Sequence, residues 1–138
     1  MKLAIVGSTS LEGNEEALHF IKTCLSFYAP TLVISGGAPG IDTMAVKAAK
    51  EMGIKTQEFK PKVKRWAVKG GFKERNEKIA KSCDMLIRIV DKNTKTYGSG
   101  WTRDRAMTYG AETVEFIIDG KNVEPGGGSE GKRSFKRS

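Results

Sequence analysis

The sequence predicts an α/β fold: a three-layer sandwich with a mostly parallel five-stranded sheet and helices on both faces. Three observations point to it. Apolar runs of strand length alternate with segments of helical period along the 138 residues, the pattern of a sheet wound by crossover helices. Residues 2–6, 31–35, 85–90 and 113–118 are near-continuous apolar runs rather than alternating ones, as strands covered on both faces are. The glycine turns at 7–10, 36–40 and 98–100 each follow a strand. In a parallel sheet such turns gather at the carboxyl edge, where ligands bind near the switch in strand order.

Taken in order, the first strand ends in Gly7-Ser8-Thr9-Ser10. Asn14 is placed to cap a helix that runs to about Tyr28, with Leu18, Ile21, Leu25 and Tyr28 on one face and Ala29-Pro30 as its stop. The second strand leads into Gly36-Gly37-Ala38-Pro39-Gly40. The helix after it has the cleanest period in the chain, Ile41, Met44, Ala45, Ala48, Ala49 and Met52, and Gly53 ends it. Lys55–Phe59 reads as a weaker third strand near an edge. A basic loop from Lys60 to Gly71 precedes a third helix marked by Phe72, Asn76, Ile79, Ala80 and Cys83. The fourth strand, a polar loop, a fourth helix ending near Tyr109-Gly110 and the fifth strand complete the domain, 1–120. Residues 121–138, rich in Gly, Ser and basic side chains, have too few apolar groups to fold alone and are expected to be disordered.

The net charge of +8 is segregated. Residues 55–81 carry ten Lys or Arg against three Glu, which suggests a partner rich in phosphate. There is no run of 18 apolar residues and no secretion signal, so no membrane partner is expected. Cys24 and Cys83 sit among apolar neighbours and read as buried free thiols, which places the chain in the cytoplasm. His19 is the only histidine, so neither a histidine metal cluster nor a Ser-His-Asp triad is supported. No metal is expected. The sequence lacks the Gly-x4-Gly-Lys-Ser/Thr pattern of a P-loop.

Four pieces carry the expected chemistry. Gly7, Ser8 and Thr9 offer amides and hydroxyls. Ser35, Gly36, Gly37 and Gly40 lead to a helix N-terminus, where backbone N–H groups and the helix dipole favour phosphate. Asp42 there either caps the helix or binds a ribose hydroxyl. Arg75 and Asn76 open the third helix, where an arginine can clamp phosphate bidentately. Gly98, Ser99, Gly100 and Thr102 open the fourth. Trp66, Tyr97 and Trp101 either stack on a base or pack under their loops, and Lys62, Lys64 and Arg65 suit a polyanion.

The order Ala4-Ile5-Val6-Gly7-Ser8, Val33 to Asp42, Phe72 to Ala80, Asp84 and Gly98-Ser99 with Thr102 and Ala106 resembles the Rossmann-like core of DprA. It is also similar to the wider SLOG superfamily, which includes the Lonely Guy hydrolases and molybdenum-cofactor carrier proteins. The resemblance covers about residues 1–118. It implies a nucleotide or nucleic-acid phosphate site at Gly7, Ser8, Ser35, Gly36, Gly37, Gly40, Asp42, Arg75, Asn76, Gly98, Ser99 and Thr102. DprA proteins bind single-stranded DNA, and some superfamily members cleave an N-glycosidic bond. Two departures stand out. Thr9-Ser10 follows the first turn where DprA chains carry an arginine. Arg105 stands where the Lonely Guy hydrolases carry a glutamate.

The leading expectation is therefore a binding protein for a nucleotide or nucleotide-derived ligand, with no required cofactor. Single-stranded DNA binding is the first alternative. An N-glycosidic phosphoribohydrolase using Asp42 or Asp104 is the second. Arg105 is expected to add to phosphate binding, and a homodimer is an expected assembly.

Overall fold

The computed structural model describes residues 1–126. Strand β1 (Lys2–Gly7) runs into a 3-10 turn (Thr9–Leu11), followed by α1 (Glu15–Tyr28), β2 (Leu32–Ser35), α2 (Ile41–Glu51) and β3 (Lys55–Glu58). After the basic loop come α3 (Phe72–Ser82), β4 (Met85–Asp91), α4 (Tyr97–Thr108), β5 (Glu112–Asp119) and β6 (Asn122–Pro125).

The sheet order is β3-β2-β1-β4-β5-β6. The first five strands pair in parallel, and β6 returns antiparallel on β5. Strand order reverses between β2–β1 and β1–β4, so the carboxyl end of β1 is the switch point.

Alternation along the strands divides the core into two layers. Leu3, Ile5, Val33, Ile87, Ile89 and Phe116 face α1 and α2. Ala4, Val6, Ile34 and Leu86 face α3 and α4. Ala45, Ala48 and Ala49 are fully buried, and their small side chains let α2 lie close to the sheet. Asn14 caps α1 by accepting the Ala17 N–H at 2.8 Å, as its sequence position predicts.

The sheet has six strands where the sequence predicts five, because Asn122–Pro125 forms β6. That segment falls inside the stretch expected to be disordered. Gly120 adopts a φ of +60°, which lets the chain turn back after one further residue. Val123 then packs on the core. A single apolar side chain in a four-residue strand leaves almost no periodic signal. The remaining basic end, 127–138, lies outside the described residues.

Among the described residues no helix is long and apolar enough to cross a membrane, and no cluster of His, Cys, Asp or Glu could hold a metal ion. Cys24 and Cys83 are both buried, and no disulfide joins them.

Candidate functional site

At the end of β1, Gly7 passes so close to β4 that a Cβ would lie 1.8 Å from the Ile89 carbonyl oxygen. Ser8 then ties the two strands together. Its amide donates to the Ile89 oxygen at 3.0 Å, and its hydroxyl accepts the Asp91 N–H at 3.0 Å. At the end of β2, the Ser35 hydroxyl reaches the Ile5 and Asp42 carbonyl oxygens, both at 3.3 Å. Both serines are therefore occupied in holding turns in place, and neither lines a cleft.

Asp42 folds back from the first turn of α2 under the glycine turn. Its carboxylate accepts the Ala38 N–H at 3.4 Å. Burial pushes the carboxyl up to about 6, against the pull of the Arg75 charge and of the Ala38, Gly36 and Gly7 amides. The turn thus carries its own anion. Gly36 has room for nothing more: a Cβ would lie 2.6 Å from Arg75 Nη1 and 2.9 Å from Asp42 Oδ2. Gly40, at a φ of +88°, packs against the Ser8 and Thr9 backbone.

Arg75 reaches across from α3 and is 9% exposed. Its Nη1 donates to the Gly36 carbonyl oxygen and, at 3.5 Å, to that of Phe59. Its Nε donates to Asn76 Oδ1. Burial lowers its pKa, while the Asp42 charge raises it. Nη2 makes no hydrogen bond to the described residues. Asn76 Nδ2 donates to the Gly98 carbonyl oxygen at 3.4 Å, joining α3 to the start of α4.

The α4 N-terminus is fixed from beneath. Arg88 of β4 donates through Nε to Ser99 Oγ at 2.9 Å and through Nη2 to Thr96 Oγ1 at 2.8 Å. Its other side meets Glu115, its register partner on β5, which also holds Arg103. Gly100 lies over the Arg88 guanidinium, with room for a Cβ at 3.3 Å only. Thr102 closes the turn by donating to the Gly98 oxygen at 2.8 Å. The Thr96 side chain makes no capping bond to α4, so the first amides of that helix remain open.

These pieces enclose a cleft of about 290 Å³ at the switch point. Of the residues expected there, Gly7, Thr9, Asp42, Arg75, Asn76, Gly98, Ser99 and Thr102 line it. Ser8, Ser35, Gly36, Gly40 and Gly100 shape it from behind, and Gly37 faces Glu58 and Lys60 instead. A second hollow, of about 170 Å³, lies on the other side of Arg75, bordered by Lys60, Lys62 and Lys78 with Glu58 and Glu74. Lys64 and Arg65 are exposed on the same basic loop. Trp66, Tyr97 and Trp101 meet edge to face beside the α4 start.

Two expected site residues lie elsewhere. Arg105 does not reach the cleft: its guanidinium takes both carboxylate oxygens of Glu77 at 2.8 Å. Asp104 is exposed, pairs with Arg103 at 3.1 Å and does not line the cleft. Lys95, Thr96 and the Arg88–Glu115–Arg103 network were not read from the sequence. Lys95 sits in a loop with no pattern. Arg88 and Glu115 did leave a signal, since each is a charge inside an apolar strand, where it needs a buried partner.

Among solved structures, DNA processing protein A (DprA) from Streptococcus pneumoniae is similar, with a TM-score of 0.63 and 26% identity over 86% of this chain. The core is a Rossmann-like fold of the DprA type. This chain spans half the length of that protein. No protein-family model and no curated protein matches the sequence.

Proposed function

We propose that the switch-point cleft binds a phosphate-bearing ligand, a nucleotide or nucleotide-derived molecule. The observation that carries this reading is the convergence of Arg75, Lys95 and the open α4 N-terminus on one cleft. Arg75 Nη2 is the guanidinium donor left over after its internal bonds, and Lys95 adds a mobile point charge. The glycine turn after β2 plays a different part from the one its sequence suggests. Its Ala38 amide serves Asp42, so the turn positions Arg75 through the Gly36 carbonyl and leaves phosphate contact to α4.

The test is calorimetric titration of the protein with adenosine 5′-monophosphate and inorganic phosphate. The expected result is binding that Lys95→Glu and Arg75→Gln each weaken roughly ten- to a hundredfold, the loss of a charge-assisted hydrogen bond. Wild-type affinity in both variants would sink the reading.

Single-stranded DNA is the second reading. The basic hollow beyond Arg75, with Lys60, Lys62 and Lys78, extends positive charge past the cleft. A similar solved structure is that of a DNA processing protein. If a strand runs through both hollows, log affinity falls with log salt by about 0.7 for each phosphate contacted. A nucleotide held in the cleft alone responds to no more than its own phosphate.

A further inference from the structure

We infer that Tyr97 is the platform on which the base of the bound ligand stacks, so that the site takes a nucleobase-bearing phosphate rather than a bare sugar phosphate. This rests on the phosphate site proposed above and adds the class of molecule attached to the phosphate.

Tyr97 opens α4 between Thr96 and Gly98, both of which line the cleft. Tyr97 itself is not among the residues that line the cleft but is flanked by two that are, and it is 68% exposed. The ring is nevertheless held. Trp66 meets it edge to face at 5.0 Å and 73°. Trp66 in turn meets Trp101 at 5.3 Å and 90°. Arg105 lies over Trp101 at 5.8 Å, and Glu77 clamps Arg105 through both oxygens at 2.8 Å. A continuous line of contacts therefore runs from α3 across α4 to the basic loop and ends on Tyr97.

That line separates the three aromatic residues by role. Trp66 and Trp101 are half-buried, and each uses an edge or face on another ring. They are positioning residues. Tyr97 has the largest exposure among them, and no ring other than Trp66 touches it among the described residues. A fixed aromatic face loses little entropy on stacking. Stacking of this kind tolerates any base, because every base has a π-face.

The experiment compares adenosine 5′-monophosphate, cytidine 5′-monophosphate and ribose 5-phosphate on the full chain. Calorimetry gives affinity, and the fluorescence of Trp66 and Trp101, the two tryptophans of the sequence, reports the aromatic cluster. Wild type is expected to bind both nucleotides roughly tenfold or more tighter than ribose 5-phosphate, the scale of one stacked base, with a change in tryptophan emission that ribose 5-phosphate does not produce. Tyr97→Phe keeps that ratio. Tyr97→Ala brings it toward one. Circular dichroism and thermal melting check that both variants fold, which the exposure of the side chain leads us to expect.

A ratio that survives Tyr97→Ala overturns this inference and leaves the phosphate site standing. So does a wild type that binds ribose 5-phosphate as tightly as the nucleotides. A wild type that binds none of the three, nor inorganic phosphate, overturns the proposed site and the stacking role together.

Discussion

The Asp42 carboxylate accepts the backbone N–H of Ala38 at 3.4 Å, within the glycine turn that precedes its own helix. An acidic side chain thus occupies the amide cradle that the turn would otherwise present to a ligand. Asp42 also lines the cleft beside Arg75, so its protonation state sets the charge that an incoming anion meets.

Affinity for an anionic ligand follows from this. The carboxyl is pushed up to about 6, so it is neutral below that pH and repels phosphate above it. A dinucleoside monophosphate diester keeps a constant charge over this range and is the clean probe. Its affinity is expected to rise as pH falls from 8 to 5. Asp42→Asn is expected to bind it more tightly at pH 8 and to lose most of the pH dependence. Calorimetry at three pH values checks this, and a wild-type slope retained in the variant contradicts it.

Stability carries the same signature with a defined sign. The folded carboxyl has a raised pKa, so the folded state holds the proton more tightly than the unfolded chain. Its contribution is fully present below the unfolded value of 3.8 and is lost as pH rises through about 6. Urea unfolding at pH 4 and pH 7.5 is expected to show wild type losing on the order of 2 kcal/mol relative to Asp42→Asn across that interval.

Arg75 has a structural duty besides its proposed ligand contact. Replacing it with alanine strands the buried Gly36 carbonyl oxygen and Asn76 Oδ1 without their donor. The expected cost is about 1–3 kcal/mol, the penalty of unsatisfied buried acceptors. Chemical denaturation of Arg75→Ala and Arg75→Lys gives the comparison. Lysine retains the charge but not the fork, so it is expected to recover part of the stability.

Arg88 and Glu115 face each other across β4 and β5, with side chains 12% and 9% exposed. Arg88→Met is expected to cost about 3 kcal/mol, because it leaves part of a buried carboxylate uncompensated. It also frees Thr96 and Ser99 from their anchor, so ligand affinity falls with it. The double variant Arg88→Met with Glu115→Met is expected to be less destabilised than the sum of the two single changes. Additive losses in a denaturation cycle would show that the pair does not act as a unit.

Gly7→Ala tests the tightest approach among the described glycines. A methyl group 1.8 Å from the Ile89 oxygen cannot be accommodated without moving β1 or β4. The expected result is loss of soluble folded protein or a drop in melting temperature of many degrees. Gly53→Ala meets no atom within 4 Å, although its φ of +75° adds strain, and is expected to cost about 1 kcal/mol.

The alternation of apolar runs and helical periods was enough to place the five parallel strands and four helices, because burial on one face or two leaves a local repeat in the chain. It also located the glycine turns whose gathering at one edge makes the cleft, and the Asn14 cap of α1. β6 escaped because four residues with one apolar side chain carry no period. Pairings between distant charges escaped for another reason. Arg105 belongs to Glu77 and not to the cleft, Arg88 belongs to Glu115, and the Ala38 amide belongs to Asp42. Spacing along a strand or helix is a property of the chain itself, whereas the partner of a charge or an amide depends on strand register and helix packing, which bring remote residues together only once the whole sheet has formed.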